Sequence, residues 1–168
     1  KIQKQFLEIQ GHPVLYYSLR CFQDSPLIHE IILVTGEESV PYCKEEIVKK
    51  YGFTKVTAVI PGGKERYDSV YAGLCACEEC EYVLIHDGAR PFITEEILER
   101  GLHKVKETGA CVIGMPSKDT IKLADEDGFV KETPDRKSAW IIQTPQIFSY
   151  SLIRNAHESI RRKDMSSI

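Results

Sequence analysis

The chain has 168 residues, of which 42% are hydrophobic and 28% are charged, and its formal net charge is −3. This length fits one domain with a sizeable core, and the composition is that of an ordinary globular protein. The slight negative charge argues against nucleic-acid binding, which favours a strongly basic face. No apolar run approaches the roughly 20 residues that span a bilayer, so no membrane segment is predicted.

The first residues, 1–6, lack the apolar stretch of a signal peptide, and the chain does not begin with Met. We therefore expect residues upstream, and a cytoplasmic protein whose cysteines are reduced thiols. Cys75, Cys77 and Cys80 have a spacing that could hold a soft metal, but a structural zinc site needs four ligands and the sequence supplies no second pair. We interpret them as small residues near a helix end.

Helical and strand patterns alternate along most of the chain. Segments with apolar residues at helical spacing lie, in chain order, at 13–24, 41–50, 69–77, 94–108 and 149–163. Short apolar runs that predict buried strands lie at 31–34, 56–60, 82–85, 110–115 and 139–142. The alternation predicts an α/β, Rossmann-like fold, with a mostly parallel sheet, right-handed crossovers and helices on both faces.

The alternation breaks after Pro116. Residues 119–123 and 129–132 read as two short strands around an acidic turn that ends at Gly128, which predicts a β-hairpin. The hairpin is polar on both faces and belongs to no strand–helix unit. Because an isolated hairpin is marginally stable in water, we expect this protruding arm, residues 116–138, to pack against a second subunit and make the protein a homodimer.

The most informative stretch is 82–92, where an apolar strand gives way to a polar turn. Asp87, Gly88 and Arg90 fall at the carboxyl end of this strand, which is the edge where open α/β sheets bind ligands. Glycine allows close backbone approach, arginine binds oxyanions with a planar fork, and aspartate binds hydroxyls or a metal. The same residues would also fit a capped loop with a surface ion pair.

Four polar segments lie at or beyond predicted strand ends, and some of them should line one crevice: 62–69, 87–90, 118–120 and 143–146. The last of these is interpreted as a turn that ends a strand. Cations accompany the segments, namely Lys4, Lys64, Arg66, Arg90 and Arg136. The combination predicts a nucleotide or sugar-phosphate site. The sequence has no dinucleotide fingerprint, P-loop, nucleophile elbow or zinc-protease motif, so we expect chemistry by positioning and electrostatics, with His86 as a loop hydrogen-bonding residue rather than a general base.

Four motifs come in an order and spacing that resemble the 2-C-methyl-D-erythritol 4-phosphate cytidylyltransferase family. They are GGKERYDSV at 62–70, HDGARP at 86–91, KDTIK at 118–122 and QTPQ at 143–146, and Lys4-Gln5-Phe6 resembles the end of a further motif. The resemblance covers essentially the whole chain. It implies an enzyme that transfers the cytidylyl group of CTP to 2-C-methyl-D-erythritol 4-phosphate in non-mevalonate isoprenoid biosynthesis and releases pyrophosphate.

The resemblance also implies a role for individual residues. The positions that match the family's nucleotide site are Gly63, Lys64, Ser69, Asp87 and Gly88. The positions that match its acceptor site are Asp87, Arg90, Thr120, Arg136 and Thr144. Lys4 and Arg136 match catalytic positions. Mg²⁺ is expected to bind through the CTP phosphates, with no protein ligand, and the arm is expected to reach into the partner subunit.

Two alternatives stay open at this point. A ribitol 5-phosphate cytidylyltransferase shares the Asp-x-x-Arg-Pro turn, so another polyol phosphate could be the acceptor. The resemblance further implies that the single domain, 1–168, lacks the family's N-terminal Gly-rich loop and its C-terminal part. A truncated, non-catalytic remnant that dimerises through its arm is therefore the second alternative.

Overall fold

The computed structural model describes residues 3–78 and 80–165. Lys1, Ile2, Glu79 and 166–168 lie outside the described residues, so the single-domain prediction for 1–168 remains a prediction. The helices are α1 Val14–Asp24, α2 Val40–Tyr42, which continues as π-helical turns over Cys43–Lys49, α3 Arg66–Ala76, α4 Glu95–Thr108 and α5 Tyr150–Met165. The strands are β1 Glu8–Ile9, β2 His12–Pro13, β3 Ile31–Thr35, β4 Val56–Pro61, β5 Tyr82–Ile85, β6 Ala110–Pro116, β7 Leu123–Ala124, β8 Val130–Glu132 and β9 Trp140–Ser149.

Strands β3 and β4 pair in parallel and share one core cluster with α1. Leu15 and Leu19, one helical turn apart on α1, are buried with Leu33 of β3 and Val59 of β4. The pairing places the ends of both strands side by side, with Thr35 opposite Pro61. Both strands therefore end at the same edge of this sheet.

Strand β9 lies between β5 and β6 and runs antiparallel to both. The strands β5 and β6 therefore point in the same direction. Helix α4 packs closely against β9, because a Cβ atom built on Gly101 would lie 2.2 Å from Cδ1 of Ile147. Ile147 is fully buried, so the C-terminal part of β9 lies against the helix.

The arm forms a short antiparallel hairpin of β7 and β8. Asp125 shapes its turn by accepting hydrogen bonds from the backbone N–H groups of Asp127 and Phe129. The side chains of Phe129 and Val130 are 72% and 60% exposed. The arm thus has local hydrogen bonds but buries little apolar surface within its own chain.

The predicted α/β class is confirmed, while the course of one strand differs from the prediction. The predicted turn at 143–146 is wrong, because these residues continue β9. Four residue steps on β9, from Ile142 to Gln146, oppose two on β6, from Gly114 to Val112. The extra residues are accommodated as an irregularity between flanking paired segments, so the strand continues. The helix predicted from residue 69 begins earlier in the structure, at Arg66, because Glu65 and Asp68 form a capping box at its N-terminus.

No helix among residues 3–78 and 80–165 is both long enough and apolar enough to cross a membrane.

Candidate functional site

Asp87 lies directly beyond β5 and is contacted by two arginines. Its Oδ1 atom is 3.2 Å from Nη2 of Arg66, and its Oδ2 atom is 3.0 Å from Nε of Arg90. The backbone N–H of Arg90 also donates to the Asp87 carbonyl at 3.0 Å, which closes the turn. The side chains of Asp87 and Arg90 are 37% and 42% exposed, so the ion pairs face solvent from the sheet edge.

Arg66 connects this turn to two other segments. It is the first residue of α3, and both of its terminal nitrogens donate to Oε1 of Gln146 at 3.3 Å. Because Arg66 follows the β4 end and Gln146 lies on β9, one guanidinium joins three chain segments. The predicted convergence of the 62–69 and 87–90 segments is therefore observed.

Strand β9 supplies two further partners beyond Gln146. Gln143 accepts a hydrogen bond from Nη1 of Arg90 through Oε1. The Thr144 hydroxyl accepts a hydrogen bond from the backbone N–H of Asp87 at 3.1 Å and lies 3.1 Å from Nδ1 of His86. We call these seven residues the strand-end cluster: Arg66, His86, Asp87, Arg90, Gln143, Thr144 and Gln146.

The electrostatics of the cluster favour an ionised Asp87 and a neutral His86. Burial alone would raise the pKa of Asp87, but hydrogen bonds and attraction from Arg90 and Arg66 outweigh it and hold the pKa below its usual range. Burial lowers the pKa of His86, against the opposing influence of the Arg90 carbonyl and the Asp87 carboxylate. His86 is a hydrogen-bonding loop residue, as the sequence predicts.

A cavity of about 230 Å³ lies at the ends of β3 and β4. Its lining residues are Val34, Thr35, Gly36, Gly62, Gly63 and Ser69. Ser69 accepts a hydrogen bond from the Gly63 N–H at 3.1 Å. A Cβ atom on Gly63 would lie 2.3 Å from Cβ of Asp68, so only glycine fits this close turn. Two predicted nucleotide-site residues, Gly63 and Ser69, therefore share one cavity.

Lys4 lies on a 3₁₀ turn, Lys4–Phe6, that is held near this cavity by its neighbours. The Phe6 ring packs edge-on against Tyr42 at 5.2 Å, and Gln3 donates to Oε1 of Glu38 at 3.2 Å. Glu38 is close in sequence to Gly36 of the cavity. The described residues offer the Lys4 and Lys64 amines no hydrogen-bond or ion-pair partner.

The remaining predicted site residues lie outside these contacts. Gly88 packs on α1, since a Cβ atom there would lie 3.0 Å from Leu15. Arg136 donates from Nη2 to the Thr120 hydroxyl at 2.9 Å within the arm. Among the described residues, no hydrogen bond or ion pair joins Arg136 or Thr120 to the strand-end cluster. One chain therefore does not connect the two halves of the predicted acceptor site.

The predicted site omitted four cluster residues: His86, which was expected only as a loop hydrogen-bonding residue, and Arg66, Gln143 and Gln146. Arg66 stood out as a cation and the two glutamines lay in a polar segment, but nothing local indicates that they meet. Their contacts depend on β9 pairing with β5, where Gln146 lies opposite Ile85. This pairing joins residues about 60 positions apart, beyond the reach of local periodicity.

The described residues contain no group of three His, Cys, Asp or Glu side chains that could hold a metal ion. The only carboxylate of the strand-end cluster, Asp87, has an arginine on each oxygen. The six cysteines form no disulfide bonds within the described part of the chain, and burial raises the pKa of Cys77. The residues present in the cluster therefore do not fit a metal held by protein ligands alone.

Comparisons with known proteins agree over the length of the chain. The family model described as IspD, 2-C-methyl-D-erythritol 4-phosphate cytidylyltransferase, matches residues 1–167. A protein of that name from Clostridium kluyveri is 50% identical over 159 residues, which are 95% of this chain and 69% of the relative. One of the same name from Lachnospira eligens is 49% identical over 160 residues, 95% of this chain and 70% of the relative.

Two solved structures are also similar. The 4-diphosphocytidyl-2C-methyl-D-erythritol synthase of Anaerococcus prevotii has a TM-score of 0.85 at 33% identity, with 95% of this chain and 70% of that chain covered. The 2-C-methyl-D-erythritol 4-phosphate cytidylyltransferase of Thermus thermophilus has a TM-score of 0.77 at 30% identity, with 96% and 72% covered. The likeness includes both sequence and fold.

Proposed function

The chain belongs to the 2-C-methyl-D-erythritol 4-phosphate cytidylyltransferase family, and we propose that it transfers the cytidylyl group of CTP to 2-C-methyl-D-erythritol 4-phosphate in non-mevalonate isoprenoid biosynthesis. It is a nucleotidyltransferase, an enzyme. The observation that carries the proposal is the convergence of two motifs of the family, 62–70 and 86–91, through the ion pair between Arg66 and Asp87.

We infer direct transfer between the two substrates. A phosphate oxygen of the acceptor attacks the α-phosphorus of CTP, and the bond to the bridging oxygen breaks as pyrophosphate leaves with the electron pair. Both ring nitrogens of His86 are engaged within the cluster, so it is not placed as a nucleophile. The protein contributes orientation and charge.

In this proposal, the cavity and the Asp87–Arg90 turn form adjoining parts of the site for the two substrates. The nucleotide would lie against the residues Gly63, Lys64, Ser69, Asp87 and Gly88. The acceptor would lie against Asp87, Arg90 and Thr144, with Thr120 and Arg136 from an arm. Arg90 suits a phosphate because its planar fork can donate two parallel hydrogen bonds.

Lys4 is proposed to stabilise charge that develops on the α-phosphate. Its amine is exposed and has no partner among the described residues, so it is available to an incoming anion. Loss of one preorganised group of this kind costs about 10²–10³ in rate. We expect Lys4→Ala to lower kcat by that factor with little change in CTP affinity, because the interaction strengthens in the transition state.

Mg²⁺ is proposed to enter with the CTP phosphates, whose charge it offsets. The cluster itself does not fit a protein-held metal, since both Asp87 oxygens are paired with arginines. No step proposed for the protein's own residues depends on the ion. A cytoplasmic location also stays a prediction.

We further propose a homodimer in which the arm completes the acceptor site of the partner. Arg136 and Thr120 are hydrogen-bonded to each other and not to their own strand-end cluster. Large apolar side chains on the arm and at its base are exposed: Met115, Leu123, Phe129, Val130, Trp140, Ile141 and Ile142. Covering them with a second copy would remove apolar surface from water.

The test is turnover of the protein as its gene encodes it. Pyrophosphate release from CTP is measured with 2-C-methyl-D-erythritol 4-phosphate and, in parallel, with ribitol 5-phosphate. The proposal predicts a higher kcat/KM for the methylerythritol compound. A preference for ribitol 5-phosphate would assign the chain to the pentitol reaction, and no turnover of either acceptor would favour the non-catalytic alternative.

A further inference from the structure

His86 uses both ring nitrogens to tie the two ends of the Asp87–Arg90 turn to the rest of the fold. Its Nε2 atom lies 3.0 Å from the Arg90 carbonyl oxygen, and its Nδ1 atom lies 3.1 Å from the Thr144 hydroxyl. The ring stands edge-on against Phe22 of α1 at 5.2 Å and 85°. The imidazole is therefore fixed in position and orientation.

The donors and acceptors around the ring select one tautomer. The Thr144 oxygen accepts the hydrogen bond of the Asp87 N–H at 3.1 Å, so the hydroxyl hydrogen remains free to be donated to Nδ1 of His86. The hydrogen of neutral imidazole then resides on Nε2 and is donated to the Arg90 carbonyl, which can only accept. A single directional chain thus runs from Asp87 through Thr144 and His86 to Arg90.

We propose that His86 is a positioning residue, which as neutral imidazole with its hydrogen on Nε2 holds both ends of the Asp87–Arg90 turn against β9. The Asp87 end is held through Thr144, and the Arg90 end is held through its carbonyl. The inference rests on the proposed function, because the turn carries the two residues, Asp87 and Arg90, that are proposed to orient the acceptor. His86 acts through them and contacts neither substrate.

The electrostatic surroundings are compatible with the neutral ring. Burial lowers the pKa of His86, the Asp87 carboxylate opposes this effect, and the Arg90 guanidinium supports it. The other close groups are uncharged, namely Phe22 on α1 and Thr144 on β9.

Ser18 provides a matched control because it serves only one end of the chain. Its hydroxyl donates to the same Arg90 carbonyl at 2.9 Å, but it has no link to Thr144. If His86 merely anchored that carbonyl, Ser18→Ala and His86→Ala would have similar consequences. If His86 acts through both ends, Ser18→Ala should have the smaller effect.

The first test is a double-mutant cycle in the protein as its gene encodes it. We expect His86→Ala to lower kcat/KM for the polyol phosphate by about 10–100-fold, because removing one partner of a partly buried hydrogen bond leaves the others unsatisfied. Ser18→Ala should change it by less than about threefold. The double variant His86→Ala with Thr144→Val should have a kcat/KM only slightly below that of the less active single variant. The reason is that both substitutions break the same chain of hydrogen bonds.

Losses in the double variant that multiply would overturn the proposal, and so would a loss in Ser18→Ala equal to that in His86→Ala. If His86→Ala does not fold, the cycle is run with His86→Asn. Its amide oxygen can replace Nδ1 as an acceptor but cannot reach the Arg90 carbonyl. That variant should fall between the wild type and Thr144→Val in kcat/KM; a value at or below that of Thr144→Val would contradict the proposal.

The second test is independent of turnover. Imidazole ¹⁵N chemical shifts of His86 in the substrate-free wild-type protein, assigned with His86→Asn, should show the neutral Nε2–H tautomer at neutral pH. A ring protonated on Nδ1 alone, or on both nitrogens, would refute the directional chain. Wild-type turnover with CTP and the polyol phosphate is measured separately, so failure of the proposed function is distinguished from failure of this inference.

Discussion

The strand-end cluster and the arm contain similar residue types, but they differ in where the partners of their polar groups lie in the chain. In the cluster, Asp87 is contacted by Arg66 from another element and by Arg90, and both arginines also bond glutamines of β9. In the arm, the described residues give the Arg136 side chain one hydrogen-bond partner, Thr120, and the Lys122 side chain one, Thr133. The cluster is cross-linked by tertiary contacts, whereas the arm is held by contacts within itself.

Apolar burial differs in the same direction. Ile147 of β9, next to the cluster, is fully buried, while Phe129 on the arm is 72% exposed. A hairpin that buries so little gains too little free energy to offset its conformational entropy. The contrast indicates that the cluster is organised by its own chain and that the arm is suited to being organised by another.

Breaking the cluster should have a large effect on turnover. Asp87→Ala removes the carboxylate between Arg66 and Arg90, so both guanidiniums lose their shared partner and repel each other. We expect kcat/KM to fall by about 10²-fold or more, because misplaced orienting groups cost at least that much. Thermal stability should change little, since the ion pairs are partly exposed.

Glu107→Ala is the matched control for this change. Glu107 also forms an ion pair, with Lys104 at 2.9 Å, but on the surface of α4. Its removal should leave turnover unchanged. Equal losses in the Asp87 and Glu107 variants, or near-normal turnover of Asp87→Ala, would show that the cluster is not the functional site.

Mixing subunits tests whether the arm completes a partner's site. Arg136→Ala and Lys4→Ala proteins, each nearly inactive, are mixed under conditions that allow exchange. If one active site combines Lys4 of one chain with Arg136 of another, half of the dimers are mixed and each has one intact site. Activity should then return to about a quarter of the wild-type value. Proven exchange without recovery would mean that Arg136 serves its own chain.

Removing apolar surface from the arm should have a smaller effect, on association alone. Phe129→Ser deletes an exposed ring, and we expect the dimer dissociation constant, measured by sedimentation equilibrium, to rise about tenfold, in line with the loss of a buried aromatic contact. Ile160→Ser is the control, because Ile160 is similarly exposed, at 58%, but lies on α5. If both variants weaken association equally, the arm is not the specific interface.

The same contrast explains which parts of the molecule the sequence predicts. Local patterns gave α1, β3, β4 and α4 nearly to the residue, because each has a clear period and a punctuating residue. Thr94 caps α4 through its hydroxyl, and Gly109 ends the helix with a positive φ of 74°.

The residues that sequence reasoning misplaced depend on non-local pairing. The segment 143–146 has proline and polar residues typical of a turn, yet it continues β9 between paired residues, with Ile142 opposite Gly114 of β6 and Gln146 opposite both Val112 of β6 and Ile85 of β5. Arg66 was visible as a cation, but its bonds to Asp87 and Gln146 exist only after α3 and β9 have packed. The residue types thus indicated a phosphate site, whereas the hydrogen bonds and ion pairs within it could be identified only from the assembled sheet.

The smallest expected effect, and a way to sharpen the contrast, is the pH dependence of stability. Burial lowers the pKa of His86 in the folded chain, and it also lowers that of His157, where Arg161 adds to the effect. Below about pH 6.5 these two histidines are therefore protonated in the unfolded chain but still neutral in the folded chain. The free energy of unfolding should consequently fall as pH falls toward the folded-state pKa values.

Asp87 extends this dependence to lower pH. Its folded-state pKa lies below its usual value, so the stability that it contributes is present above about pH 4 and is lost as pH falls through the folded pKa.

Denaturant titrations measure the free energy of unfolding at each pH. As pH falls through the histidine range, this free energy should decline less steeply in the His86→Gln variant than in the wild type, and adding His157→Gln should remove the residual slope. His103→Gln, at a position 79% exposed on α4, should keep the wild-type slope. An unchanged slope in His86→Gln would show that His86 carries the same charge in the folded and unfolded chain, and the cluster would then lack the partly buried neutral imidazole that connects Thr144 with Arg90.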